Sequence, residues 1–319
     1  MPCTTICSLK RKSNAMRIGL IGLGDIAQKA YLPVIANFSG VTPVLCTRNP
    51  EALTLLGSKY RIGECYQDVN DLIKSGLDAA MVHSSTESHA EMVTRLLEAG
   101  IPTFVDKPIS YHLEDTKRII DLSVTKDTLL FVGFNRRYAP LISAINEPSP
   151  VQLFLRKNRP YLPGDPRVFI YDDFIHVIDT LRYLSFGKVE DLQTWAYREG
   201  NQLGAVQVQW RSENTLVTGS MNRVSGADEE TLDVYGQQQH WQIKRLAQGE
   251  YHTPEETSQL GFNDWQATLH KRGFVDMLSH FVQQAKVKKA QQEQLEDILA
   301  THALCDQVLN QVETNLANK

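Results

Sequence analysis

Two short stretches of the chain bring acid-base side chains close together. FVDKPIS, residues 104 to 110, ends an apolar run on Asp106, Lys107 and Pro108, and DDFIHVID, residues 172 to 179, sets Asp172 and His176 four residues apart. On a helix that interval places a carboxylate and an imidazole on one face, where the acid favours the protonated ring. Histidine titrates near neutral pH and suits proton transfer, while an ammonium such as that of Lys107 stabilises a developing oxyanion. Each pair also has a plainer reading: Lys107 with Asp106 as charges at a strand end, and Asp172 with His176 on a solvated helix face.

A third stretch, GLGDIA at residues 22 to 27, follows the apolar run RIGLIG and opens a helix. Gly22 permits a tight turn, Gly24 lets the backbone approach a pyrophosphate, and Ala27 allows close packing of helix on strand, with Leu23, Asp25 and Ile26 completing the turn. The free N-H groups of the helix start then face the phosphates of a dinucleotide. The second apolar run ends in Thr47 and Arg48 and has no acidic residue for a ribose 2'-hydroxyl. A guanidinium there suits a 2'-phosphate, so NADP is the expected cofactor ahead of NAD; NAD stays open if Arg48 covers the adenine or points to water.

The elements that must position these residues change character along the chain. From residue 16 to 137 short apolar runs alternate with helical periods, as in HAEMVTRLLEAG, which predicts a parallel α/β sheet of the Rossmann kind. From 138 to 319 the period shifts to two, in VQVQW, TLDVYG and HWQIKR, which predicts an α+β domain on a mostly antiparallel open sheet, closed by two helices. Residues 1 to 15 are polar and basic and read as an extension outside the fold, with Met16 as a second candidate start. Around DDFIHVID, Phe174, Val177, Ile178, Leu181 and Leu184 share one helical stripe, and Asp172, His176 and Tyr183 share another, so Phe174 is expected to pack inward.

A formal charge of -4 excludes a cationic field for nucleic acid or anionic lipid, and leaves a small-molecule partner. Five scattered cysteines fit free thiols in a reducing compartment, hence a cytoplasmic protein. No apolar run reaches the roughly 18 to 20 residues of a membrane helix. His83 and His89 lack partners at ligand spacing, so no metal is expected.

Taken in order, GLGDIA, HSSTESH (83 to 89), VDKP (105 to 108) and DDFIHVID resemble the family of glucose-fructose oxidoreductase, inositol dehydrogenase and the rhizopine catabolism protein MocA. VHSSTESH, VDKP, GFNRRYAP and DDFIHVIDT are most similar to its MviM group, labelled virulence-factor-like. The resemblance implies hydride transfer between nicotinamide and a hydroxyl or keto carbon of a sugar, cyclitol or related polyol. By position it implies Lys107 and His176 as catalytic residues with Asp172 as the third member. It also implies Asp106 and Lys107 beside the nicotinamide, a cis Lys107-Pro108 bond, and Ser84, Ser85 and His89 lining that half of the cofactor site. Two residues depart from the pattern: Asp106 stands for the usual glutamate, and Phe174 for the usual glycine. These departures keep a second reading open, a non-catalytic NAD(P)-binding regulator or sensor.

Asn135, Arg136 and Arg159 join Lys107, Asp172 and His176 as substrate-binding candidates, with interdomain salt bridging an equal role for Arg136 and its neighbour Arg137. Trp195, Tyr197, Trp210 and Trp241 fall on the second sheet. They belong either to an aromatic face for a homodimer or homotetramer, as the resemblance implies, or to the cover of local helices.

Overall fold

A computed structural model describes residues 15–147 and 149–317, so all but the last residue of the expected 1 to 15 extension lies outside the described residues. The apolar runs of the first half form β1 (Met16–Ile21), β2 (Val41–Cys46), β3 (Cys65–Tyr66), β4 (Ala79–Val82), β5 (Thr103–Val105) and β6 (Leu130–Val132). All pair in parallel, in the order β3-β2-β1-β4-β5-β6. The crossovers are a π-helical turn (Ala27–Tyr31) leading into α1 (Leu32–Ile35), then α2 (Pro50–Tyr60), α3 (Val69–Lys74), α4 (Thr86–Glu98) and α5 (Leu113–Thr125). The strand order reverses between β1 and β4, which opens a crevice at their carboxyl ends.

After a short 3-10 turn (Asn135–Tyr138) and α6 (Pro140–Ser143) comes the second sheet. Its strands are β7 (Gln152–Pro160), β8 (Glu190–Glu199), β9 (Gln202–Ser212), β10 (Thr215–Ser225), β11 (Glu229–Tyr235), β12 (His240–Lys244), β13 (Gln248–His252) and β14 (Thr257–Leu260). Their order is β14-β13-β12-β11-β7-β10-β9-β8, antiparallel throughout except where β7 runs parallel to β10. Between β7 and β8 lie α7 (Pro166–Val168), a second π-helical turn (Phe169–Phe174) and α8 (Ile175–Ser185). α8 lies so close beneath the sheet that a Cβ at Gly219 of β10 would come within 2.8 Å of Leu181 and 2.9 Å of Val177. Phe174, Val177, Ile178 and Leu181 are fully buried there, and the large ring at 174 belongs to the core as its stripe predicted.

The chain closes with α9 (Thr268–Lys271), α10 (Phe274–Val287) and α11 (Gln292–Ala317). Sequence order groups α10 with the second sheet, but the helix returns to the first. Met277, Leu278 and Phe281 share a core with Ile18, Leu20, Phe104 and Phe131, and the Phe281 ring packs edge-on against Phe104 at 5.4 Å. The stripe of α10 needs an apolar face, and the Phe104 side of the first sheet supplies it. The other side, with Val105 and Val132, continues into the second domain's core through α11, which contacts both α5 and α8.

The aromatic residues of the second sheet divide between its faces. Trp210 and Trp241 are 3 % and 8 % exposed, whereas Trp195 and Tyr197 on edge strand β8 are 47 % and 55 % exposed. Trp210 and Trp241 are therefore removed from the aromatic face, because strand alternation turns them toward the inside.

Candidate active site

The glycine turn sits where the reversal in strand order puts it. Gly22 has a φ of +83°, and a Cβ there would lie 2.4 Å from Ser84 N, so the turn after β1 is pressed against the end of β4. At Gly24 a Cβ would meet nothing within 4 Å, which leaves the backbone open to a ligand. Leu23 and Ala27 are buried anchors, while Asp25 and Ile26 are exposed, Asp25 pairing with Lys29 at 2.8 Å. Thr47 is half-buried and Arg48 exposed at the end of β2. Ser84 and Ser85 follow β4, half-buried and exposed, and Ser88 Oγ donates to Ser84 Oγ at 2.6 Å. Open space at Gly24, free N-H groups at the helix start and accessible serines opposite fit a dinucleotide.

Lys107 follows β5 on the same edge, and its bond to Pro108 is cis, in line with the resemblance. The Asp106 carboxylate turns back beneath the strand end, accepting Lys107 N–H at 2.8 Å and the Tyr31 hydroxyl at 3.0 Å. Tyr31 reaches it from the first π-helical turn, and burial, then the charge of Asp106, raises the phenol's pKa well above its ordinary value. The shorter aspartate is thus held from below, and the Lys107 side chain crosses to the second domain, where Nζ donates to the main-chain oxygen of Asp172 at 2.7 Å. His89 does not line the crevice as expected. It is buried, with Nδ1 2.8 Å from Pro108 O and Nε2 3.0 Å from Ser84 O, and braces both loops.

The expected Asp172–His176 pair is not formed. The second π-helical turn, in which Ile175 N–H bonds Ile170 O five residues back, shifts the phase that a regular helix would give. The Asp172 carboxylate accepts instead from the Tyr111 hydroxyl at 2.7 Å and the Thr86 hydroxyl at 3.2 Å, tying the second domain's helix to the ends of β5 and β4. His176 is correspondingly not drawn toward its charged form. Burial first, then the positive charges of Arg136, Lys107, Lys157 and Arg159, hold its pKa well below the ordinary value, so the ring is neutral at working pH.

Most of the remaining polar candidates are engaged in structure. Asn135 donates to Arg272 O at 2.8 Å, and Arg136 grips Glu230 with two bonds of 2.6 and 3.0 Å; both are buried, so neither is free for substrate as expected. Arg137 pairs with Asp179 of α8 and Asp297 of α11, which resolves the two arginines in favour of ion pairs between the units. Arg159 shares the Asp173 carboxylate with Lys157 and Arg223, and its side chain remains 39 % exposed. Sequence reasoning missed Tyr31, Tyr111, Thr86, Lys157, Asp173 and Arg223. Lys157 had a signal: on β7 it continues the inward alternation of Leu153 and Leu155, and a lysine on a core face demands a partner. Among the described residues, no group of three His, Cys, Asp or Glu side chains is placed to hold a metal ion.

Residues 16–134 match the family described as an oxidoreductase family with an NAD-binding Rossmann fold, and residues 138–254 match a YceM-like C-terminal domain. The reversed strand order and the glycine turn are those of an NAD-binding Rossmann fold in an oxidoreductase family, and the chain belongs to the Gfo/Idh/MocA family. It is similar to the putative oxidoreductase YceM of Salmonella typhimurium strain LT2, 32% identical over 274 residues that cover 84% of this chain and 88% of the relative. The structure is similar to that of a Gfo/Idh/MocA family oxidoreductase from Vibrio cholerae, with a TM-score of 0.88 and 35% identity over 94% of this chain and all of the other. The dehydrogenase MviM from Clostridium difficile follows at 0.86 and 28%, over 93% and 99%, in keeping with the MviM resemblance.

Proposed function

We propose that the protein is a dehydrogenase or reductase acting on a CH–OH group of a polyhydroxylated small molecule, a sugar, cyclitol or relative. The observation that carries this reading is the bond from Lys107 Nζ to the main-chain oxygen of Asp172, which brings the lysine to the segment four residues before His176, a ring that burial and nearby cations hold toward its neutral form. A neutral imidazole is ready to accept the proton of a substrate hydroxyl, and the ammonium stabilises the oxygen as it becomes an alkoxide. Asp172, fixed by Tyr111 and Thr86, sets the helix against the first domain and acts through position. A bound nicotinamide supplies the hydride acceptor for oxidation or the donor for reduction.

The functional division follows the sequence: 16–137 for the dinucleotide and 138–319 for substrate and self-association. NADP is the favoured cofactor because Arg48 is exposed at the end of β2, where Thr47 and Arg48 stand in place of a carboxylate. Homodimers or homotetramers would form through the outer face of the second sheet, where Trp195, Tyr197 and Phe154 are exposed. No helix among the described residues is long and apolar enough to cross a membrane, and the cytoplasm is the proposed compartment.

The test begins with fluorescence titration of NADPH and NADH against wild type and Arg48→Ala, in which only NADPH should weaken. A panel of keto-sugars and cyclitol ketones, followed by loss of nicotinamide absorbance, then tests turnover. Cofactor binding without turnover across that panel would support a sensor in place of an enzyme.

A further inference from the structure

The polar cluster beside His176 carries an imbalance that the reaction alone does not require. Lys157, Arg159 and Arg223 all converge on one carboxylate, that of Asp173: Arg159 Nε at 2.6 Å, Arg223 Nη2 at 2.9 Å, and Lys157 Nζ in direct contact. Lys157, Arg223 and Asp173 are themselves buried, at 5 %, 7 % and 5 % exposure. The other carboxylates nearby do not redress the sum. Glu230 is paired with Arg136, the charge of Asp172 acts on Arg223 while two hydroxyl groups fix it, and Asp228, which acts on Arg159, is exposed to solvent, so Arg159 has no buried carboxylate beyond the shared Asp173.

Burying cations without counter-charge is costly, and evolution removes such groups unless something compensates them. Two donors of the cluster are left without a partner among the described residues. Arg223 Nε is buried without an acceptor among the described residues, its guanidinium lying over the Phe169 ring at 4.4 Å. Arg159 spends Nε and Nη2 on Asp173, which leaves its Nη1 amino group, on the most exposed side chain of the cluster, for another partner.

We propose that the substrate carries an anionic group, a carboxylate or a phosphate, which Arg159 receives with Lys157 and Arg223 behind it, while His176 and Lys107 hold the reacting oxygen. This rests on the dehydrogenase reading and narrows it from neutral polyols to sugar acids or sugar phosphates. A neutral polyol satisfies hydrogen bonds but leaves the charge standing, whereas an anion does both. Burial and the neighbouring cations lower the Lys157 pKa to about 5, so the standing charge of the cluster rests on Arg159 and Arg223, and an anion bound there would favour the ammonium form of Lys157.

Calorimetric titration of the NADPH-saturated protein with sorbitol, gluconate and glucose 6-phosphate tests this. At least one anion should bind about tenfold or more tighter than sorbitol, the scale of one charge-assisted hydrogen bond. Gluconate alone would identify a carboxylate site, and glucose 6-phosphate alone a phosphate site. Arg159→Met should reduce the advantage to within about threefold, with NADPH affinity unchanged, and Arg159→Lys should recover part of it. Circular dichroism melting of each variant establishes that it is folded. Sorbitol binding as tightly as both anions, or an advantage that survives Arg159→Met, would overturn the proposal. If NADPH itself does not bind, the dehydrogenase reading fails, and the same titrations on the protein alone still decide the anion site.

Discussion

Lys107 and Asp172 are joined across the two units by one hydrogen bond, from the ammonium to a main-chain oxygen at 2.7 Å. A carbonyl orients the lysine without neutralising it, so its full charge remains for a substrate oxygen. Lys107→Ala should therefore lower kcat by roughly 100-fold to 1,000-fold. Dinucleotide affinity should change by less than about threefold, since the glycine turn holds the phosphates. Steady-state rates beside a fluorescence titration check both, and an unchanged kcat would remove Lys107 from the chemistry.

Beneath that lysine, the Tyr31 hydroxyl supports Asp106 at 3.0 Å, and its ring stacks on His83 at 3.9 Å between centroids. Tyr31→Phe keeps the stacking and removes only the bond to a buried carboxylate. Hydrogen bonds to charged groups contribute about 1.5 to 3 kcal/mol, so urea unfolding should report a loss of about 2 kcal/mol. A smaller fall in kcat than for Lys107→Ala should accompany it, because Asp106 also holds the Lys107 N–H.

The two glycines of the turn should separate folding from cofactor binding. Gly22→Ala forces a Cβ to within 2.4 Å of Ser84 N at a φ of +83°, so the β1–β4 contact must open and the melting temperature should fall. Gly24→Ala meets no protein atom within 4 Å and should melt like the wild type. Its methyl would stand where a pyrophosphate must approach, and dinucleotide Kd should rise by about tenfold or more. Equal cofactor binding by Gly24→Ala and wild type would argue against the pyrophosphate at that turn.

The parts of this site legible in the sequence are those set by local rules. GLGDIA after an apolar run specifies turn, helix start and ligand side together, and the stripe through Phe174 fixes which face of α8 is buried. What escaped depends on partners far along the chain. A π-helical turn, invisible in residue types, accompanies the turning of Asp172 to Tyr111 and Thr86, and burial with the cations around His176 sets the neutral state that the sequence did not announce. Arg136 finds Glu230 94 positions later, and Asn135 finds Arg272, so residues that read as substrate ligands became struts. α10 was assigned by adjacency, but its apolar stripe answered to a sheet laid down near the start of the chain.

His302, on α11, makes the fold itself sensitive to acid. Its Nδ1–H donates to Ile298 O at 2.8 Å and its Nε2 accepts Ile109 N–H at 3.1 Å, just beyond the Lys107–Pro108 turn. Accepting that bond requires a neutral ring, and burial lowers the pKa from 6.5 to about 4. A histidine depressed in the folded state binds its proton more readily when unfolded. Its contribution is therefore fully present above pH 6.5 and is lost as the pH falls toward 4. At about 1.4 kcal/mol per pH unit, the step from pH 7 to 4.5 should remove roughly 2.5 kcal/mol through this residue alone. Buried His83, lowered to about 3, acts in the same direction, so the wild type should lose more than one histidine's share. Urea unfolding of wild type and His302→Gln at the two pH values isolates the contribution. The glutamine variant, which cannot titrate, should be less stable at pH 7 and lose roughly 2.5 kcal/mol less on acidification. Parallel losses in the two proteins would mean that His302 does not couple protonation to the fold.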